Sequence, residues 1–182
     1  MIRVKSSVNI QASPEEVFAL ISDVRRCGEL NPRVEVINIS NEPPGKVTEG
    51  TVFHYRIVIQ GKMTEYSSKV ITFEPNRLLE TQTDTYPVVN ISIKIEPIEG
   101  GVCLEQELTS EVPREESTPV AFPGWFSKLI GRLEKETSGA ESGEALYQQQ
   151  EAAMQEQLQE QLDEWLAVVK KHLEEERNTF FA

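Results

Sequence analysis

The side chains able to do acid–base, nucleophilic or metal chemistry are few and scattered. There are two histidines, His54 and His172, and two cysteines, Cys27 and Cys103. No His/Cys/Asp/Glu spacing matches a metal site, so no metal and no cofactor is expected. A nucleophilic triad needs an ordered base beside a serine or cysteine, and none is suggested; no residue is assigned as catalytic. The carboxylate runs Glu115-Glu116 and Glu174-Glu175-Glu176 read as solvated surface, and no Gly-rich phosphate loop occurs. The remaining candidates are polar residues set among hydrophobes: Tyr55, Tyr66, Ser68, Thr81, Thr83 and Gln106, with Asn31 at a helix-to-strand corner. Buried polar groups require partners, which here are either one another or an anchored ligand. A phenol such as Tyr55 or Tyr66 could also orient or polarise a carbonyl.

The elements that hold these residues are legible from period and punctuation. Ile2, Val4, Val8 and Ile10 alternate with Arg3, Lys5 and Asn9, the period of a half-buried strand. Ser13 then reads as an N-cap, with Pro14 at the first helical position and Glu16 three residues after the cap. A second short helix capped by Asp23 runs to about Glu29, and Leu30-Asn31-Pro32 ends it. Strands follow from Val34 to Ile39 and over 51–59, 64–73, 78–84, 88–96 and 102–112, joined mostly by short turns that force antiparallel neighbours. Alternation puts Phe53, Tyr55, Ile57 and Ile59 on one face with Val89, Ile91, Ile93, Ile95, Val102, Leu104, Gln106 and Leu108. His54, Arg56, Asn90 and Cys103 fall on the other. A sheet with one apolar face must be covered.

The cover comes from the C-terminal part. Residues 113–124 hold three prolines and read as loop. Trp125-Phe126 with Leu129, Ile130 and Leu133 makes a short amphipathic helix with three readings: a structural cap, a lid, or a partner surface. A Ser/Gly linker follows, and 144–177 is helix-forming throughout, without Gly or Pro. Leu158, Leu162, Trp165, Val169 and Leu173 form its apolar stripe, whereas the Gln/Glu-rich run 148–161 reads as an exposed extension. Heptad core positions there carry Gln and Glu, which disfavours a coiled coil. His172 lies near the helix end, where a cation suits the helix dipole.

The chain of 182 residues is long enough to bury one sizeable core without staples, and a single domain over 1–182 is expected. The two cysteines read as free thiols in a reducing compartment. The first residues follow a strand pattern rather than that of a signal peptide, and no apolar run approaches the ~20 residues of a membrane span. A cytoplasmic location is therefore expected. The net charge is −12, and residues 111–182 carry 15 acidic and 7 basic side chains. Nucleic acid, which needs a basic footprint, is excluded as a partner, and anionic membrane surfaces are disfavoured.

Together these pieces carry a resemblance. The strand, then Ile-Gln-Ala-Ser-Pro-Glu-Glu-Val-Phe-Ala-Leu-Ile-Ser-Asp (10–23), Leu30-Asn31-Pro32, the meander through Phe73-Glu74-Pro75-Asn76-Arg77-Leu78-Leu79 and the C-terminal helix resemble the polyketide cyclase/dehydrase branch of the START-like (Bet v 1-like, SRPBCC) superfamily. The likeness covers 2–112 and about 155–177, while 113–154 is longer than the usual connection. It implies an α+β helix-grip fold: a seven-stranded antiparallel sheet around a long C-terminal helix, with two short helices between the first two strands. It also implies a cavity, for which the lining expected here is Asn31, Phe53, Tyr55, Ile57, Tyr66, Ser68, Thr81, Thr83, Ile91, Ile93, Leu104, Gln106, Leu108, Leu158, Leu162 and Trp165. The function expected is binding or transport of a small hydrophobic molecule, such as a lipid, isoprenoid or aromatic polyketide. The alternatives are a polyketide cyclase or dehydratase using the same cavity, and a protein-interaction module using the acidic helix. A weak homodimer or protein contact would fall on 123–155.

Overall fold

The computed structural model describes residues 1–59, 61–110 and 143–180. The expected Trp125–Ile130 helix and the lid or partner reading of it lie outside those residues. Strand β1 (Ile2–Ile10) leads into helices α1 (Pro14–Ser22) and α2 (Val24–Glu29). Six strands follow: β2 (Val34–Glu42), β3 (Val52–Ile59), β4 (Lys62–Glu74), β5 (Leu78–Thr83), β6 (Val89–Ile98) and β7 (Gly101–Ser110). Helix α3 (Gly143–Phe180) closes the described chain. The strands form one sheet in the order β1-β7-β6-β5-β4-β3-β2, antiparallel at every step.

Local chemistry explains the start. The Ser13 hydroxyl accepts the Glu16 amide at 3.2 Å, and the Glu16 carboxylate accepts the Ser13 amide at 2.7 Å, closing a capping box. Val17, Phe18, Leu20 and Ile21 then turn inward and are buried. Asp23 accepts the Arg26 amide at 3.1 Å and starts α2. At Gly28 an added Cβ would lie 3.2 Å from Ile39 Cδ1 and 3.3 Å from Val36 Cγ2, so the missing side chain lets α2 sit close on β2.

Two bulges, at Val36/Asn38 in β2 and Val70/Thr72 in β4, add local twist and bend the sheet. Its concave face carries Val4, Ile10, Phe53, Val70, Leu79, Ile95, Val102 and Leu104, all buried against α1 and α3. From α3 the buried residues are Met154, Leu158, Leu162, Leu166, Val169 and Leu173. Each such side chain contributes roughly 1.5–3 kcal/mol relative to exposure, which makes this face the main source of stability.

The Gln/Glu-rich run of α3 differs from the exposed extension expected of it. Helix α3 lies along the free edge of β1 and hydrogen-bonds to it. The Gln159 carboxamide accepts the Lys5 amide at 3.4 Å and donates to the Lys5 carbonyl at 3.0 Å. Gln155 donates to the Arg3 carbonyl at 3.0 Å, the Ser6 hydroxyl to Asp163, and the terminal amine of Met1 to Glu151 at 2.8 Å. An edge strand otherwise leaves these backbone groups bare. The glutamines act as a pseudo-strand on one side while Met154 and Leu158 enter the core on the other.

Candidate functional site

Between α3 and the concave face lies a cavity of about 640 Å³. Its apolar walls come from β1 (Val4), β2 (Val34), β3 (Ile57, Val58, Ile59), β7 (Leu108) and α3 (Leu158, Leu162, Trp165). Alternation dictates most of this: Ile57 and Ile59 point inward on β3 as Leu108 does on β7. Two polar side chains enter among them. Gln106 comes from the middle of β7, in register with Ser6 and Ile93. Tyr66 comes from β4, directly opposite Tyr55 on β3, and the two rings stack with centroids 4.5 Å apart and planes within 7°. Among the described residues neither the Gln106 carboxamide nor the Tyr66 phenol has a hydrogen-bond partner.

The cavity opens beside the corner between α2 and β2. Asn31 builds that corner: its side chain accepts the Arg33 amide at 3.0 Å and its carbonyl accepts the Val34 amide at 3.1 Å. The Arg33 guanidinium is thereby set against the Glu164 carboxylate of α3, with Nε 2.6 Å from Oε2. Pro32, Glu35, Gly61 and Gln161 complete the rim.

Burial sets the electrostatics behind the stacked rings. The Tyr55 phenol is pushed well above the usual range by desolvation, with neighbouring Tyr66 and Cys27 adding to the effect and Ser68 opposing it. Tyr66 is raised by desolvation and then by Asp84. The Cys27 thiol, on α2, is pushed up to about 12 by desolvation and by Asp23. All three stay protonated at neutral pH, so each is able to donate a hydrogen bond rather than to abstract a proton. The Ser68 hydroxyl, 3 % exposed, lies towards Tyr55, yet no hydrogen bond of ordinary geometry satisfies it among the described residues.

Of the sixteen residues expected to line a cavity, Asn31, Ile57, Tyr66, Gln106, Leu108, Leu158, Leu162 and Trp165 border this one. The other eight stand elsewhere on the same concave face. Phe53 and Leu104 are packed in the core, and Tyr55 lies behind Tyr66. Ser68 and Thr83 pair across β4 and β5, and Thr81 pairs with Val70 on one side and Ile91 on the other. Ile93 pairs with Gln106 but does not reach the cavity. The expected lining left out Val4, Val34, Val58, Gln161 and the charged rim of Arg33, Glu35 and Glu164, and also Ile59, which alternation puts on the inner face. Ile59 and Val4 carried the same alternation signal as their neighbours. The Arg33–Glu164 pair, 131 positions apart, had no local signal.

His54 lies on the convex face, within reach of Ser67 at 3.1 Å and Glu42 at 3.4 Å. His172 sits at 3.2 Å from Arg26, which also pairs with Glu176. Neither borders the cavity. Among the described residues no cluster of His, Cys, Asp or Glu could hold a metal ion, and no helix is long and apolar enough to cross a membrane.

Solved structures share this architecture. The chain is similar to the polyketide cyclase-like protein Cgl2372 of Corynebacterium glutamicum, at 23% identity and a TM-score of 0.55, covering 96% of this chain and 92% of that one. It is similar to a protein of unknown function, SA2116 of Staphylococcus aureus, at 11% identity and a TM-score of 0.65, with 97% and 96% covered. It also aligns with the di-domain aromatase/cyclase StfQ of the steffimycin biosynthetic pathway, at 12% identity and a TM-score of 0.67, covering 97% of this chain and 52% of that one. At these identities the likeness is one of fold. No curated protein matches the chain by sequence. A family model does: that of polyketide cyclases/dehydrases and lipid transport proteins matches residues 1–159, the stretch holding the capping box, the whole sheet and the first half of α3. With the seven-stranded helix grip and its cavity, that match makes the chain a member of the polyketide cyclase/dehydrase and lipid transport family, of the START-like (SRPBCC) type.

Proposed function

We propose that this protein binds a small, largely apolar molecule non-covalently in the cavity between α3 and the sheet. The observation that carries the reading is the cavity itself. About 640 Å³ lies in the range of small-molecule sites, and the walls are mainly Ile, Leu, Val and Trp with a few polar groups. A ligand of that size would bury its apolar surface against walls already fixed by the core. A cyclase or dehydratase role draws support from the shared fold with StfQ. The chemistry at hand favours binding, because the described lining offers no imidazole or thiol and its carboxylates, Glu35 and Glu164, stand at the rim.

The test is titration with the uncharged dye N-phenyl-1-naphthylamine. Saturable one-to-one fluorescence enhancement is expected, lost in a Leu108→Trp/Leu162→Trp double variant that fills the cavity while retaining the wild-type circular dichroism. Enhancement that survives the filled cavity, or none in the wild type, would overturn the reading. A dansyl amide of long-chain alkylamine serves as a second probe if the double variant fails to fold, since competition between the two dyes for one site gives the same answer.

A further inference from the structure

The cavity's polar groups are arranged by depth, and that arrangement selects among ligands. At the rim Arg33 pairs with Glu164, and Glu35 borders the cavity two positions along the chain from Arg33. The only cation of the described lining, Arg33, is engaged by Glu164 at 2.6 Å. What remains is the negative charge of Glu35, on a chain whose net charge is −12. An anionic headgroup would have to take Arg33 from Glu164 and stand beside two carboxylates. Like-charge placement of this kind is a device for excluding ligands.

Deeper in, Gln106 and Tyr66 reach the same cavity from strands that are not neighbours, β7 and β4. Neither has a hydrogen-bond partner among the described residues. The carboxamide offers both a donor and an acceptor, and the phenol, kept neutral by its burial, offers a donor. A hydrocarbon seated there would leave these groups unpaired, whereas a hydroxyl or carbonyl would satisfy them.

Resting on the binding reading above, we propose that the ligand is an uncharged amphiphile. It is an apolar body whose hydroxyl or carbonyl is held inside by Gln106 and Tyr66, and carboxylates of the same body are rejected at the rim.

The experiment is displacement of N-phenyl-1-naphthylamine from the full chain by dodecan-1-ol and by dodecanoate at pH 8, both below micellar concentrations. Dodecan-1-ol is expected to bind at least about tenfold more tightly than dodecanoate. Gln106→Leu is expected to weaken dodecan-1-ol by about fivefold to tenfold. Glu164→Gln, which releases Arg33, is expected to tighten dodecanoate and narrow the gap. Gln106→Met gives the same comparison if Gln106→Leu does not fold. Equal or tighter binding of dodecanoate by the wild type, or dodecan-1-ol binding indifferent to both Gln106 variants, overturns the proposal while leaving the cavity a binding site. A wild-type protein that takes up no dye overturns the binding reading and this inference with it.

Discussion

Ser68 and Thr83 stand opposite each other across β4 and β5, both buried and both hydroxyl-bearing, yet their circumstances differ. Thr83 Oγ1 accepts the Val89 amide at 2.9 Å and meets Thr85 Oγ1 at 2.6 Å, whereas Ser68 Oγ, turned towards the Tyr55 phenol, makes no hydrogen bond of ordinary geometry among the described residues. An unpaired buried hydroxyl costs stability, while removing a paired acceptor strands its donor. Ser68→Ala should therefore be neutral or stabilising by up to about 1 kcal/mol, and Thr83→Val should cost about 1–3 kcal/mol. Urea unfolding of the two variants decides it; a larger loss for Ser68→Ala would contradict the hydrogen-bond assignment. The sequence marks both as polar residues set among hydrophobes. Which one is satisfied depends on cross-strand register, a non-local fact. The buried phenols and thiol make a pH prediction at the same scale. Tyr55, Tyr66 and Cys27 all have folded values raised above their unfolded ones. The unfolded chain therefore binds fewer protons at alkaline pH. The stability these groups contribute is complete below the unfolded values, near about 8.5 for a thiol and about 10 for a phenol, and is lost as pH rises through the folded ones. Absorbance at the phenolate band should show two tyrosines that ionise only together with base-induced unfolding. Their ionisation with the fold intact would refute the assignment.

At the scale of elements, the sequence spoke clearly where the signal was local. The capping box at Ser13 and Glu16 sits within four residues, and the structure closes it as expected. The strands likewise followed their alternation, with ends shifting by a few residues. The long helix was legible in its apolar stripe but not in its polar side. Apolar periodicity reports only what enters the core, so Gln155 and Gln159 looked solvated, although they pair with the backbone of β1. The stripe also named Trp165 and passed over Leu166, which is the residue 2 % exposed, while Trp165 faces the cavity. The glutamine contacts yield a direct expectation. A Gln155→Leu/Gln159→Leu variant keeps helix propensity but bares the β1 edge, at a cost of about 1–2 kcal/mol. The Lys5 amide should then exchange its hydrogen markedly faster, and unchanged protection there would mean the helix does not cover the edge. Where β7 begins, an alanine Cβ at Gly101 would fall 2.0 Å from the Ile10 carbonyl oxygen. That neighbour is backbone and cannot swing away, so Gly101→Ala should lose at least about 2 kcal/mol. A thermal scan showing wild-type stability would rule out so close an approach.

For the molecule as a whole, two electrostatic effects oppose each other. Helix α3 is tied to the rest of the described chain by exposed pairs: Met1 with Glu151, Arg33 with Glu164, and Arg26 with Glu176. Pairs of this exposure contribute about 0–1 kcal/mol each, and salt weakens them. Against them stands a net charge of −12, whose self-repulsion favours the expanded chain and is also weakened by salt. Magnitude decides between them. The pairs are few and act at contact distance, where screening is least effective. The repulsion is summed over the whole surface at separations far beyond the ~10 Å screening length at 0.1 M salt. Added sodium chloride should therefore raise the melting temperature between low ionic strength and about 0.2 M, a range in which charge screening dominates over salting-out. Choline chloride, sharing only the anion and the ionic strength, should reproduce the rise. A melting temperature that falls steadily with both salts would mean that the ion pairs across α3, rather than the apolar face beneath it, hold the grip closed.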